Sequence, residues 1–267
     1  MRLVASDLDG TIVGSGNRIS DRTVRAFHSC LDAGVDVVFV TGRPPRWLDP
    51  LRDRIGHQGT VICSNGAITY DLKSDQVLAS QVLPLDQLFE AAGIIRGLYP
   101  AVRFAAETLD GFHLEPGFAE KGSEELLGGI APQPLSETLS GADGVVKFLA
   151  RTDSISPDEF LGAVRPAVSH LVSTTHSAPS VPMLEMSAAG LNKAVTLADY
   201  AASKGIDAAD VVAFGDMPND VQMLRWAGRG YAMASGHSDA LAATDLTAPA
   251  FGEDGVAQVL EDLLRRL

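Results

Sequence analysis

The sequence predicts a doubly wound, mainly parallel α/β sheet with an α+β unit inserted into it. Three observations carry this. Apolar strand-like runs alternate with helix-like segments near both ends of the 267-residue chain, the pattern of βαβ units. The stretch from about residue 84 to 186 abandons that alternation. Three polar clusters each follow an apolar run directly, where an open α/β sheet places its ligands.

In order, Leu3-Val4-Ala5 is a short apolar strand followed by an acidic turn. Residues 21–33 read as a helix: Val24, Phe27, Cys30 and Leu31 fall at three- and four-residue spacing, and Ser20 or Asp21 can cap its start. Gly34 ends it. Val35–Val40 is apolar except for Asp36, as a strand covered on both faces requires. Pro44 and Pro45 suit the first turn of a following helix, and Val61-Ile62-Cys63 is another short strand. Residues 67–83 hold two apolar stretches around the polar turn Asp71–Asp75, a hairpin signal.

Between 84 and 186, residues 101–106 and 144–150 are strand-like and 85–97 and 157–165 helix-like. The turn-rich stretch 116–143 gives no clear element. The alternation then resumes. Leu191–Lys204 reads as a helix stopped by Gly205, Val211–Phe214 as a strand, Pro218–Trp226 as a short helix, Tyr231-Ala232-Met233 as the last core strand and Val256–Leu267 as a closing helix. Glu253 and Asp254 mark that helix's first turn, where negative charge is favoured. The expected organisation is a discontinuous domain, 1–83 with 187–267, interrupted by a second domain at 84–186; such insertions are tolerated where chain ends lie close together.

Composition narrows the function. Hydrophobic residues make up 46% and charged residues 21% of the chain, which excludes global disorder. The net charge of -13 repels nucleic acid and anionic lipid, so neither is an expected partner. An anionic substrate needs a local reversal of that field, most simply by a divalent cation. Two cysteines, Cys30 and Cys63, are too few for a disulfide framework or a structural zinc site and read as free, buried thiols. No run reaches the roughly 18 apolar residues of a membrane span, and Asp7 comes too early for a signal peptide. The expected location is the cytoplasm. Trp47 and Trp226 read as core or packing residues, and His113, His170 and His176 as surface residues.

The clusters are Asp7-Leu8-Asp9-Gly10-Thr11, Thr41-Gly42-Arg43 and Gly215-Asp216-Met217-Pro218-Asn219-Asp220, with Lys193 near a helix start between the last two. Parallel strands bring all of them to one sheet edge. Asp7, Asp9, Asp216 and Asp220 then share one small site. Two like charges about 4 Å apart repel by about 4 kcal/mol at an effective dielectric of about 20, so a lysine and a hard, oxygen-seeking cation such as Mg²⁺ are needed to hold them together. A carboxylate nucleophile, a metal, a lysine and a hydroxyl suit phosphoryl transfer.

In this order the four segments resemble the haloacid dehalogenase-like hydrolase superfamily and, within it, the Cof-like phosphatases. The resemblance covers the chain from Asp7 to the Gly-Glu-Asp-Gly-Val run at 252–256. The long interval between Thr41 and Lys193 resembles the subgroup with a large α/β cap between the second and third motifs. The resemblance implies a Rossmann-like core and a substrate-selecting cap. It implies that Asp7 attacks phosphorus to form an aspartyl-phosphate, and that Asp9 protonates the leaving oxygen and then activates water. The Leu8 backbone, Thr41, Gly42, Arg43, Lys193 and Asn219 would hold the phosphoryl group or substrate. Mg²⁺ would be bound by Asp7, the Asp9 carbonyl and Asp216, and Asp220 would orient Lys193 or a metal-bound water. Asn192 and Ala194 stand where many relatives have Ser and Gly. Arg43 reads equally as structural or substrate-contacting. Asn65, in Ser64-Asn65-Gly66-Ala67, reads either as part of a turn into the hairpin or as a substrate contact at the site's edge.

The expected function is a Mg²⁺-dependent phosphatase for small phosphorylated metabolites, sugar phosphates first. The alternatives are a phosphomutase acting on a hexose phosphate and a non-catalytic metabolite-binding protein. Residues 108–122, 152–156 and 176–183 are the candidate loops for choosing a substrate. The sequence carries no signal for an oligomeric state.

Overall fold

The structure, a computed structural model, describes residues 1–56, 59–119, 129–153, 155–178 and 180–266. Residues 120–122, 154 and 179 of the candidate substrate loops lie outside the described residues, as does Leu267 of the closing helix. The chain forms two compact units, Met1–Ala79 with Asn192–Leu267, and Ser80–Leu191. The sequence reading sets these boundaries a few residues differently, at 83/84 and 186/187. Leu83 belongs with the second unit because its backbone exchanges hydrogen bonds with Val145.

The chain enters the first unit through β1 (Leu3–Ser6), α1 (Asp21–Asp32), β2 (Asp36–Val40), β3 (Thr60–Cys63), β4 (Ile68–Asp71) and β5 (Gln76–Ser80). The second unit contributes α2 (Leu85–Leu98), β6 (Arg103–Glu107), β7 (Phe112–Leu114), α3 (Leu135–Thr138), β8 (Lys147–Arg151), α4 (Pro157–Val168), β9 (Val172–Thr175) and β10 (Met183–Ala188). The chain returns through α5 (Lys193–Ser203), β11 (Val211–Gly215), α6 (Val221–Trp226), β12 (Arg229–Met233), α7 (Ser238–Leu241), β13 (Leu246–Ala248) and α8 (Gly255–Leu264).

The first unit is built on an eight-stranded sheet in the order β13-β12-β11-β1-β2-β3-β4-β5. It is parallel from β13 to β3, and β4 joins antiparallel to β3. Every residue of β1 and β11 is buried. Leu3, Ala5, Val38 and Val40 pack on one face with Leu197 and Ala201 of α5 and Met223 of α6. Phe39 alternates to the other face and meets Phe27 of α1 edge-on, with ring centroids 5.1 Å apart; α1 in turn packs on α8. Helices therefore cover both faces, the doubly wound arrangement. The local signals act as expected in α1, where the Ser20 side chain accepts from the Thr23 amide and Gly34 turns the chain at φ +75°.

The second unit is an antiparallel sheet, β7-β6-β8-β10-β9, with α2 and α4 on one face. Phe104 and Phe148 stack between strands at 5.1 Å, and Tyr99 closes on Phe160 edge-on. On the opposite face, Ala105, Leu114 and Leu149 gather against Phe118.

Four expectations are corrected. Tyr231–Met233 is not in the last core strand: β13 pairs with β12 beyond it. Leu246-Thr247-Ala248 is too short, and two of its residues too exposed, to show as an apolar run. Glu253 and Asp254 precede the closing helix, Glu253 ending a short 3-10 turn and Asp254 in the left-handed region at φ +58°. Trp47 is 46% exposed, with the Arg46 guanidinium 5.0 Å over its ring, because the turn Pro45–Trp47 is too short to bury it. His176 is fully buried rather than on the surface, and its Nε2 lies 2.9 Å from Asp158 Oδ1. Cys30 and Cys63 are free and buried, as expected. No helix among the described residues is long and apolar enough to cross a membrane.

Candidate active site

The chain order of the first sheet reverses at β1: β2 and β3 lie on one side of it, β11, β12 and β13 on the other. Such a reversal opens a crevice beyond the carboxyl ends of the strands. The residues that leave β1, β2 and β11 there are Asp7, Thr41 and Asp216.

Lys193 is the first residue of α5, and it is fully buried. Its Nζ donates to Asp7 Oδ1 and Asp220 Oδ1, both at 2.6 Å. The Asn192 side chain caps the helix by accepting from the amides of Ala194 and Val195. Asparagine thus does the work that serine would do there, since both supply a side-chain oxygen to the first free N–H groups. Asp220 Oδ2 accepts from the amides of Asp216 and Met217, at 3.0 and 3.1 Å. Gly215 makes room for this: a β-carbon there would stand 2.5 Å from that of Asp220. Asp216 Oδ1 accepts from Thr11 Oγ1 at 3.0 Å.

Asp7, Asp216 and Asp220 each offer a carboxylate oxygen within 4.8 Å of the others, and all three are buried. Burial pushes the Asp7 carboxyl well above the ordinary range, Asp220 and Asp216 add to this, and Lys193 only partly offsets it. Burial, then the Asp220 charge, lifts Asp216 to about 7. For Lys193, burial opposes the ammonium, but Asp220 and Asp7 outweigh it and hold the lysine protonated. Three carboxylates around one ammonium leave an excess of negative charge that a hard divalent cation would complete. Asp220 has both oxygens committed to Lys193 and the backbone. That leaves Asp7 and Asp216 as the side chains suited to holding the cation.

Leu8 is buried, and its carbonyl accepts from the amides of Thr11, Ile12 and Val13. This tight turn carries Asp9 outward. The Asp9 carboxylate is exposed and forked by Arg43, whose Nε and Nη2 reach its two oxygens at 2.8 and 2.5 Å. Arg43 also donates to Asn17 Oδ1 and to the Trp47 carbonyl. Asn17 was missed by sequence reasoning; a lone asparagine in a Gly-rich loop gives no sign of an arginine 26 positions away. Thr41 is fully buried, and its Oγ1 accepts from the Arg43 amide at 3.0 Å.

Asn65 sits in a turn directly after β3. Ser64, Asn65 and Gly66 all have positive φ, at 51°, 57° and 105°. The Ser64 and Asn65 amides donate to the carbonyls of Arg43 and Thr41. The Gly66 carbonyl accepts from Thr196 of α5 at 2.8 Å. Asn219 Nδ2 donates to Asn65 Oδ1 at 3.1 Å, and both residues are buried. Ser64 Oγ and Asn219 Oδ1 are buried with no hydrogen-bond partner among the described residues, a cost of about 1–3 kcal/mol each. Gly42 follows Thr41 in the same crevice-edge turn.

The profile of the haloacid dehalogenase-like hydrolases matches residues 4–260. The chain belongs to that family. The hydrolase is 28% identical over 267 residues to the 5-amino-6-(5-phospho-D-ribitylamino)uracil phosphatase YitU of Bacillus subtilis, covering 97% of this chain and 96% of that one. It is 24% identical over 279 residues to the pyridoxal phosphate phosphatase YbhA of Escherichia coli, covering 97% of each. Its fold superposes on the subclass IIB sugar phosphatase BT4131 with a TM-score of 0.81 at 22% identity, over 98% of this chain and 99% of the other.

Proposed function

We propose that this hydrolase is a Mg²⁺-dependent phosphatase acting on small phosphorylated metabolites through an aspartyl-phosphate. The observation that carries the reading is the buried bridge of Lys193 between Asp7 and Asp220, with Asp216 beside it, at the sheet's reversal point. Membership of the hydrolase family supports it, as do relatives named as phosphatases.

In this reading Asp7 attacks phosphorus, and the bond to the leaving oxygen breaks as the aspartyl-phosphate forms. Lys193 favours the ionised form of Asp7 against its burial, aims it, and balances charge on the phosphoryl oxygens. The Thr41 hydroxyl, the Leu8 amide and Asn219 hold those oxygens. Asp9 is the acid and then the base: it protonates the leaving oxygen and later takes a proton from the water that cleaves the acyl phosphate. Both Asp9 oxygens are engaged by Arg43, so proton donation requires that fork to open. Asp7, Asp216 and the Asp9 carbonyl would hold Mg²⁺. When bound, the ion supplies positive charge against the carboxylates and the phosphoryl oxygens. The inserted unit is proposed to select the substrate.

The test is phosphate release from a panel of phosphorylated metabolites, sugar phosphates foremost, with Mg²⁺ or EDTA, by wild type and Asp7→Asn. Mg²⁺-dependent release that falls by several orders of magnitude in the variant is expected. Release that survives Asp7→Asn would sink the covalent step.

A further inference from the structure

The sequence leaves Asn65 as a turn residue or a substrate contact, and the structure gives it a different setting. Three consecutive residues, two of them not glycine, adopt positive φ, a conformation L side chains avoid and retain only where the surroundings impose it. The surroundings here are the site's own loops. The amides of Ser64 and Asn65 are spent on the Arg43 and Thr41 carbonyls, which ties the turn to the segment after β2. Gly66 is tied to α5 through Thr196, and a β-carbon at Gly66 would stand 2.7 Å from the Asn192 carbonyl oxygen. The turn is thus bonded to the Thr41 loop and to α5, and packs closely against Asn192, the residue that precedes Lys193. From that fixed point, the Asn65 carboxamide reaches the side chain of Asn219, 154 positions away.

That contact leaves Asn219 Oδ1 buried with no partner among the described residues. A free carboxamide would turn to satisfy a buried acceptor. Asn65 Oδ1 takes one N–H of Asn219 Nδ2 and leaves the second N–H of that nitrogen for another acceptor.

We infer that Asn65 is a positioning residue: the strained turn Ser64–Gly66 holds its carboxamide so that Asn219 presents an N–H to a phosphoryl oxygen. This rests on the phosphatase reading, in which Asn219 touches the phosphoryl group. Asn65 itself need not touch substrate. A misplacement of about 1 Å at such a contact can cost about 100-fold in rate.

The experiment is a double-mutant cycle on Asn65→Gly and Asn219→Ala, with p-nitrophenyl phosphate and Mg²⁺. Glycine accepts φ near +57° without strain, so the first change removes the carboxamide and spares the turn. Each single variant should lose about 10- to 100-fold in kcat/KM, mostly in kcat. The double variant should lose no more than the weaker single variant. A turn with only a structural role would lower the melting temperature and leave the two losses to multiply. Multiplying losses, or an Asn65→Gly enzyme with more than half of wild-type kcat/KM, would overturn the inference. Should wild type hydrolyse no phosphomonoester, the phosphatase reading fails instead. Calorimetric titration of the same four proteins with inorganic phosphate then decides: a non-additive loss of affinity sustains the role of Asn65. Unchanged affinity, or no binding by wild type, ends it.

Discussion

A β-carbon on Gly10 would stand 2.2 Å from Asp216 Oδ2. Gly10 also turns the chain at φ +82°, where any other L residue is strained. The two constraints act together. The turn after Asp7 must be left-handed, and the space beside it belongs to the Asp216 carboxylate, whose other oxygen accepts from Thr11. Gly10→Ala should therefore lower the melting temperature and displace Asp216. Thermal unfolding with and without Mg²⁺ separates these effects. The Mg²⁺-induced rise should be smaller in the variant than in wild type. An equal rise would mean that Gly10 does not constrain the carboxylates proposed to hold the cation.

Lys193 is buried with an ion pair on each side. Removing one partner of a buried pair costs about 3–5 kcal/mol, because the other charge is left without compensation. Lys193→Met keeps the volume and deletes the charge. In EDTA it should unfold more easily than wild type by about that amount, as measured by urea denaturation. Mg²⁺ should recover part of the loss, since both cations answer the same three carboxylates. Phosphatase activity should be lost under either condition. Unchanged stability in EDTA would contradict the buried ion pairs.

The candidate site is legible in the sequence where chemistry and topology coincide. Asp7, Thr41, Lys193 and Asp216 each follow or begin a regular element, so a parallel sheet brings them together once the strands are recognised. Relationships that depend on side-chain direction were not legible. Asp220 takes its place through two local amides and Lys193, and its part in orienting the lysine came only from the family resemblance. The forking of Asp9 by Arg43, and the hold of Asn65 on Asn219, are set by tight turns whose φ angles no apolar pattern encodes. The fold shows the same division. Two helices of the second unit, α2 and α4, are legible as helix-like stretches, whereas the short α3 lies in the turn-rich stretch that gave no clear element. Its strand β10 was hidden because Glu185 interrupts the run; Glu185 is buried there by pairing with Lys147 at 2.6 Å.

Proton binding at Asp216 makes the last prediction one of pH. Burial and the Asp220 charge raise this carboxyl from its ordinary 3.8 to about 7. The folded, metal-free protein therefore binds a proton that the unfolded chain has already released across that interval. Its contribution to stability is fully present below the unfolded value and is lost as pH rises through about 7. A divalent cation needs the carboxylate, so it must displace that proton, and acid weakens its hold. The Mg²⁺-induced rise in melting temperature should be small at pH 6 and larger at pH 8. Titration calorimetry at pH 6.5 in two buffers of different ionisation enthalpy should register proton release on binding. In Asp216→Asn, the pH dependence and the proton release should both shrink and most of the affinity should be lost, the remainder coming from Asp7, whose carboxyl burial also raises. A Mg²⁺ effect of the same size at pH 6 and pH 8 in wild type would show that Asp216 is already ionised without the metal, and that the excess charge of the three carboxylates is held by Lys193 alone.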